Sequence, residues 1–166
     1  MAFVHRVTQM LHDEHMASVA MLNDLEELLA TSGRSLPDTA SATVVRTLIA
    51  IAEVIEGEVN RHFAFEEEEL FTRLAEFGDA AIGQHLTQEH RAILPLGEGL
   101  AQMAHTALAG GFTPESWNEF RAGAGELVER MLAHIQKEEM ALLPLLDDVL
   151  DAETDFRLSE RRGELA

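Results

Sequence analysis

The chain has 166 residues, 46% of them hydrophobic and only 4 of them proline, with a formal net charge of −18. That length makes one ordinary domain, able to bury roughly 68–70% of its unfolded surface. The acidic excess excludes phosphate-backbone binding and anionic membrane surfaces, which need clustered Lys and Arg, and the lack of cysteine excludes disulfides, thiolate metal sites, iron–sulfur ligation and cysteine nucleophiles.

The elements are expected in chain order as four long helices and a tail, separated by Gly, Pro, Ser and Thr. The first helix runs from Ala2 to Ala30 and stops at TSGRSLPDTAS, residues 31–41. The second runs from Ser41 to Phe77, where Gly78 and Asp79 give a stop and a restart. The third spans Asp79 to Ala109, bent at Pro95, and Gly110-Gly111 ends it. Thr113-Pro114-Glu115 opens the fourth with an N-cap, a first-turn proline and a first-turn acid, and the helix reaches Leu150 with a kink at Pro144. The last stretch, DAETDFRLSERRGELA, forms a short helix and frays. Its role, and that of the RLSERR run within it, is open: it caps the bundle or contacts a partner. The start MAFVHRVTQMLHDEH has no basic segment leading into an apolar one, and no run of 18 apolar residues occurs, so a cytoplasmic protein is expected.

Each helix carries an apolar seam with steps of three and four, such as Val4, Val7, Leu11, Leu22 and Leu25 in the first and Trp117, Phe120, Leu127 and Met131 in the fourth. The expected fold is therefore all-α, an up-down-up-down four-helix bundle over residues 1–150 with a short C-terminal extension at 151–166. Every seam is interrupted. His15 fills the gap in the first helix, His62 and Glu66 in the second, His90 in the third, and His134 and Glu138 in the fourth. Residues four apart share a helical face, so His62 with Glu66 and His134 with Glu138 each aim a nitrogen and a carboxylate into the core. A lone histidine in a seam is commonly a satisfied core residue. Six ionisable groups at one level need a compensating charge, which a metal supplies.

The arrangement repeats. HFAFEEEELFTRL at 62–74 aligns without gaps to HIQKEEMALLPLL at 134–146, and DEHMASV at 13–19 aligns to QEHRAIL at 88–94. Two metals fit this symmetry better than one. Among the other candidates, His12 is assigned to the rim of the site and His5, His85 and His105 to the surface. Glu67, Glu68 and Glu139 are assigned to solvated faces, and Glu69 lies near the His62 face. Met16, Phe63 and Met131 are read as core.

The order H, HxxxE, H, HxxxE resembles the hemerythrin-like HHE cation-binding domains across nearly the whole chain. The resemblance implies a cofactor of two non-haem Fe ions, bridged by Glu66 and Glu138 and by an oxo or hydroxo group. His15 and His62 would serve one iron, and His90 and His134 the other. The ferritin-like Glu-x-x-His signature is absent. The chain departs from the oxygen-carrying members at Leu86, where they have a further histidine, and at Glu138, which is the fourth residue after the histidine where they have an aspartate at the fifth. One nitrogen fewer disfavours reversible carriage and favours reaction with, or sensing of, O2, NO or H2O2, with a catalase-like or peroxidase-like activity as one outcome. No side chain is assigned as a catalytic acid or base, and no nucleic-acid or membrane partner is expected. The alternative is a non-catalytic iron-binding module, either a sensor or a small reservoir, and zinc suits the same ligand types.

Overall fold

The computed structural model describes residues 3–165, all in helices or short connections, with no strand among the described residues. Helix α1 spans Arg6–Ser32. The second helical rod is α2 (Ala42–Glu53), α3 (Asn60–Phe65) and α4 (Phe71–Glu76), joined by π-helical turns at Val54–Val59 and Glu66–Leu70. Helix α5 covers Ala80–Gly110 and runs through Pro95. The fourth rod is α6 (Pro114–Lys137) and α7 (Leu143–Val149), joined by a π-helical turn at Glu138–Leu142, and α8 (Ala152–Glu164) completes the chain. No helix among the described residues is long and apolar enough to cross a membrane.

The ends of these helices follow from local chemistry. Gly33, at φ 54, donates its N–H to Leu29 O at 2.9 Å and closes α1. Its own carbonyl accepts the indole N–H of fully buried Trp117 at 3.0 Å, which ties the end of α1 to the start of α6. Thr113 and Ser116 form a reciprocal capping box at the start of α6. The first helix begins later than the seam suggests: Val4 lies before it and is 86% exposed, and the expected start at Ala2 lies outside the described residues. No acid occupies the first turn of α1, and the caps come from far along the chain. Asp147 accepts the N–H groups of Val4 and His5 at 3.0 and 2.9 Å, and Asp155 accepts those of Arg6 and Val7 at 2.9 and 2.8 Å. Burial works against the charged form of Asp147, but the two backbone donors prevail and hold its carboxyl below the usual range. Asp155→Ala should cost about 1 kcal/mol, the ordinary worth of an N-cap, read as a lower urea midpoint with an unchanged slope.

Packing closes a ring. The α1 helix packs on α2 and α6, α2 and α4 pack on α5, α5 packs on α6, and α8 lies along α1. Inside the ring are two apolar clusters. One holds Met21, Leu22, Leu25, Leu48, Ile51, Leu100, Trp117, Phe120 and Leu127 with their neighbours. The other holds Val7, Leu11, Phe65, Leu70, Leu74, Leu86, Leu142 and Leu146, and α8 adds Leu158 to it. Along every rod the change from one cluster to the other falls at an interrupted seam position, so a buried polar layer separates two apolar cores.

Candidate metal centre

The structure brings together His15, His62, Glu66, His90, His134 and Glu138, all buried, in two overlapping groups. His15 and His62 form one group with both carboxylates, and His90 and His134 form the other with the same two. The Nε2 atoms of His15 and His62 are 3.1 Å apart, and those of His90 and His134 are 3.2 Å apart. Two imidazoles bound at right angles to one ion, with bonds of about 2.1 Å, would place their nitrogens about 3.0 Å apart. Each pair fits a shared cation.

Each carboxylate faces both pairs. Glu66 points Oε1 at His62 Nε2, 3.0 Å away, and Oε2 at His90 Nε2, 3.3 Å away. Glu138 points Oε2 at His15 Nε2 and Oε1 at His134 Nε2, both at 2.8 Å. Despite these short approaches, all four oxygens lack a well-directed hydrogen-bond partner among the described residues. Fully buried carboxylate oxygens without donors are costly. A cation lying between nitrogen and oxygen satisfies them, so the residues present fit a pair of metal ions.

A ring of four more carboxylates orients the histidines. His15 Nδ1 donates to Glu139 Oε1 at 2.6 Å, His62 Nδ1 to Glu14 Oε2 at 2.6 Å, His90 Nδ1 to Glu67 Oε1 at 2.8 Å, and His134 Nδ1 to Glu89 Oε2 at 2.8 Å. Keeping the proton on Nδ1 leaves the Nε2 lone pair directed inward and raises its basicity. The ring obeys the repeat: Glu14 and Glu89 precede the histidines of their own helices and serve His62 and His134, while Glu67 and Glu139 follow the central carboxylates and serve His90 and His15.

The solvated-face assignment of Glu67 and Glu139 is therefore wrong. It rested on runs of acids being ordinary on solvated faces, and an uninterrupted α-helical period also turns the fifth residue after a histidine well away from it. Glu66 and Glu138 each open a π-helical turn, whose wider winding alters that register. The next side chain in each case reaches a neighbouring helix. Glu139→Gln should weaken metal binding about 10-fold to 100-fold, the usual effect of losing such a partner, while the helix content stays unchanged; competition with a chelator measures it, and equal affinity would refute the role.

The remaining candidates fall around this core. His12 is at the rim, half-buried, and its Nδ1 is 2.8 Å from Glu139 Oε2. His85 and His105 are exposed, whereas His5 is half-buried with Nδ1 3.4 Å from Asp147. Glu69 stays outside the cluster, facing Arg161 at 3.6 Å. Met131 is buried, but Met16 is 43% exposed and does not belong to the core. Phe63 stacks on His90 with centroids 3.7 Å apart and planes 6° from parallel, and Phe71 covers the same ring at 5.8 Å. By the repeat, Ile135 stands where Phe63 does and Leu143 where Phe71 does, so the stacked aromatic cover falls on His90, while Phe63 also meets His134 and His62 edge-on with centroids 5.2 and 6.2 Å away. A cavity of about 10 Å³ opens beside them, with Ser18, the exposed Glu58, Val59, Phe63, Met131 and Ile135 in its wall, and reaches His15, His62 and His134.

Electrostatics bind the layer together before any metal arrives. Burial alone would lower the histidine pKa values, but the carboxylates outweigh it. Glu138 and Glu139 raise that of His15, Glu66 and Glu138 raise that of His62 strongly, and Glu138 and Glu66 push His90 up to about 9. Burial likewise opposes the charged forms of Glu66 and Glu138. The surrounding imidazoles prevail, holding Glu66 below the usual carboxylate range and Glu138 well below it. Protons and cations thus compete for the same inward-facing nitrogens.

No curated protein matches the chain. The hemerythrin HHE cation binding domain matches residues 6–146, a span that starts with α1, ends within α7 and contains all six clustered residues. On that match, and on the paired His/Glu clusters that accompany it, the chain belongs to the hemerythrin HHE cation-binding family.

Proposed function

We propose that this protein holds two iron ions in its polar layer, bridged by Glu66 and Glu138, and that it binds or reacts with O2, NO or H2O2. The observation that carries the reading is the double-facing geometry of the two carboxylates, one oxygen towards each histidine pair. Bound iron supplies one-electron redox chemistry and Lewis acidity. His15 with His62 and His90 with His134 hold the two positions, and the Nδ1 carboxylates fix their tautomers. Phe63 and Phe71 shield the second pair. The cavity of about 10 Å³ has room for a single water-sized molecule, which suits small ligands such as a diatomic gas or peroxide. Val59, Phe63, Met131 and Ile135 give that opening a largely apolar lining. In this reading the four long helical rods form an up-down-up-down bundle over residues 1–150, with 151–166 as a docked extension, in a cytoplasmic protein re-reduced by a separate partner.

Elemental analysis of protein expressed with ample iron, followed by peroxide-consumption and NO-binding assays, tests the proposal. About two irons per chain with peroxide turnover above free iron would support it. Two irons without turnover or gas binding would favour the non-catalytic module, and zinc as the retained metal would remove the redox reading.

A further inference from the structure

The four orienting carboxylates differ in the second basic side chain each one meets. Glu89 pairs with the half-exposed Lys137 and faces the exposed His85 at 3.4 Å, and Glu139 pairs with His12. Glu67 has no second cationic partner among the described residues. Glu14 is different in kind: Arg162, delivered by α8 and only 4% exposed, donates from Nη2 to Glu14 Oε1 at 2.8 Å. The other oxygen of Glu14 accepts the Nδ1–H of His62. The guanidinium sits 6.0 Å from the centroid of the Phe65 ring, and its Nε and Nη1 find no protein acceptor among the described residues. A permanent positive charge is therefore held in an apolar setting, one carboxylate away from an inward-facing imidazole.

We infer that Arg162 is a positioning residue that sets the reduction potential of the His15–His62 metal position, acting through Glu14; the inference rests on the di-iron reading. Two effects act in the same direction. A carboxylate that accepts an imidazole N–H makes that imidazole a stronger donor to metal, and a guanidinium sharing the carboxylate weakens this push. The buried charge also disfavours the more positive ion directly, with little screening by salt. Both raise the potential and favour ferrous over ferric iron. The counterpart in the other half, Lys137, is half-exposed and screened, so the two positions differ in poise although their ligand sets match.

The test is a mediated redox titration, with dithionite as reductant, of iron-loaded wild type, Arg162→Gln, Arg162→Lys and Lys137→Met, with iron content and circular dichroism recorded for each. Gln removes the charge and keeps a polar donor at the position, two bonds shorter than Nη2, while Lys keeps the charge. Arg162→Gln should retain both irons and move one ferric/ferrous equilibrium roughly tenfold towards ferric, or 59 mV for one electron. Arg162→Lys should stay close to wild type, and Lys137→Met should shift by less than Arg162→Gln. An unchanged potential in Arg162→Gln, or the same shift in Arg162→Lys, would overturn the inference while leaving the di-iron reading intact. Loss of iron or of fold in Arg162→Gln would make Arg162 a structural clamp and also overturn it. A wild type that binds no iron would instead remove the proposed function itself.

Discussion

Glu138→Ala is expected to abolish retention of both metal ions, whereas His90→Ala should leave about one. Both oxygens of Glu138 lie 2.8 Å from a ring nitrogen, one in each pair, so its loss removes a ligand from both positions. Glu66 makes the same double approach at slightly longer range, and Glu66→Ala should follow the same pattern. His90 belongs to one group only. The metal-free variants should differ as well: without Glu138, the raised-pKa histidines around it lose their main counter-charge, and removing one partner from a buried ionic set typically costs about 3–5 kcal/mol. Metal content after gel filtration and a thermal melt of the stripped protein provide both readings. Equal metal content in all three variants would dismiss the shared-carboxylate arrangement.

Acidity should act on the stripped and loaded proteins in opposite directions. The pKa of His90 is raised from the ordinary 6.5 to about 9 in the folded, metal-free protein. A raised folded value means that protonation stabilises the fold. That contribution is complete below about 6.5 and is lost as pH rises through about 9, and it is worth on the order of 3 kcal/mol for this one group. His15 and His62 shift in the same direction and add to it. The stripped protein should therefore melt at a lower temperature at pH 9 than at pH 6.5. Metal binding follows the opposite trend, because each inward-facing imidazole must lose its proton first. Below about pH 9, affinity should fall at least roughly tenfold per pH unit, or about a thousandfold by pH 6. Glu138, held well below the usual carboxylate range, stays ionised throughout this window. Anaerobic titrations against a chelator at three pH values, beside melts of stripped protein, test the pair of trends. A flat affinity profile, or a stripped protein that gains stability at pH 9, would contradict the account.

The two levels of the centre were unequally legible in the sequence. The six clustered residues stood out because each breaks an apolar seam, and a seam is read correctly as long as the helix keeps its period. The orienting carboxylates did not stand out, since glutamates are ordinary on solvated faces and the π-helical turns at Glu66–Leu70 and Glu138–Leu142 change the register where it mattered. A signal for them existed in the repeat. The pairs Glu14-His15 with Glu89-His90, and Glu66-Glu67 with Glu138-Glu139, recur at matching positions, as interlocking contacts between the halves require. The role of Arg162 had no such signal: its partner lies 148 residues away in sequence, since 162 − 14 = 148, and the extension has no counterpart in the other half. Helix boundaries agreed to within one or two residues except at the start of α1, whose caps are tertiary.

Those tertiary caps bear on how the protein is made. Asp147, Asp155 and Arg162 complete the start of α1 and the support of His62, yet they leave the ribosome long after the residues they serve. At ~5–20 residues per second, Arg162 follows Glu14 by roughly 7–30 s of synthesis. During that interval the first turn of α1 lacks the carboxylates that cap it, and Glu14 lacks its guanidinium partner. The start of α1 and the bracing of His62 through Glu14 are thus completed only after the last helix docks.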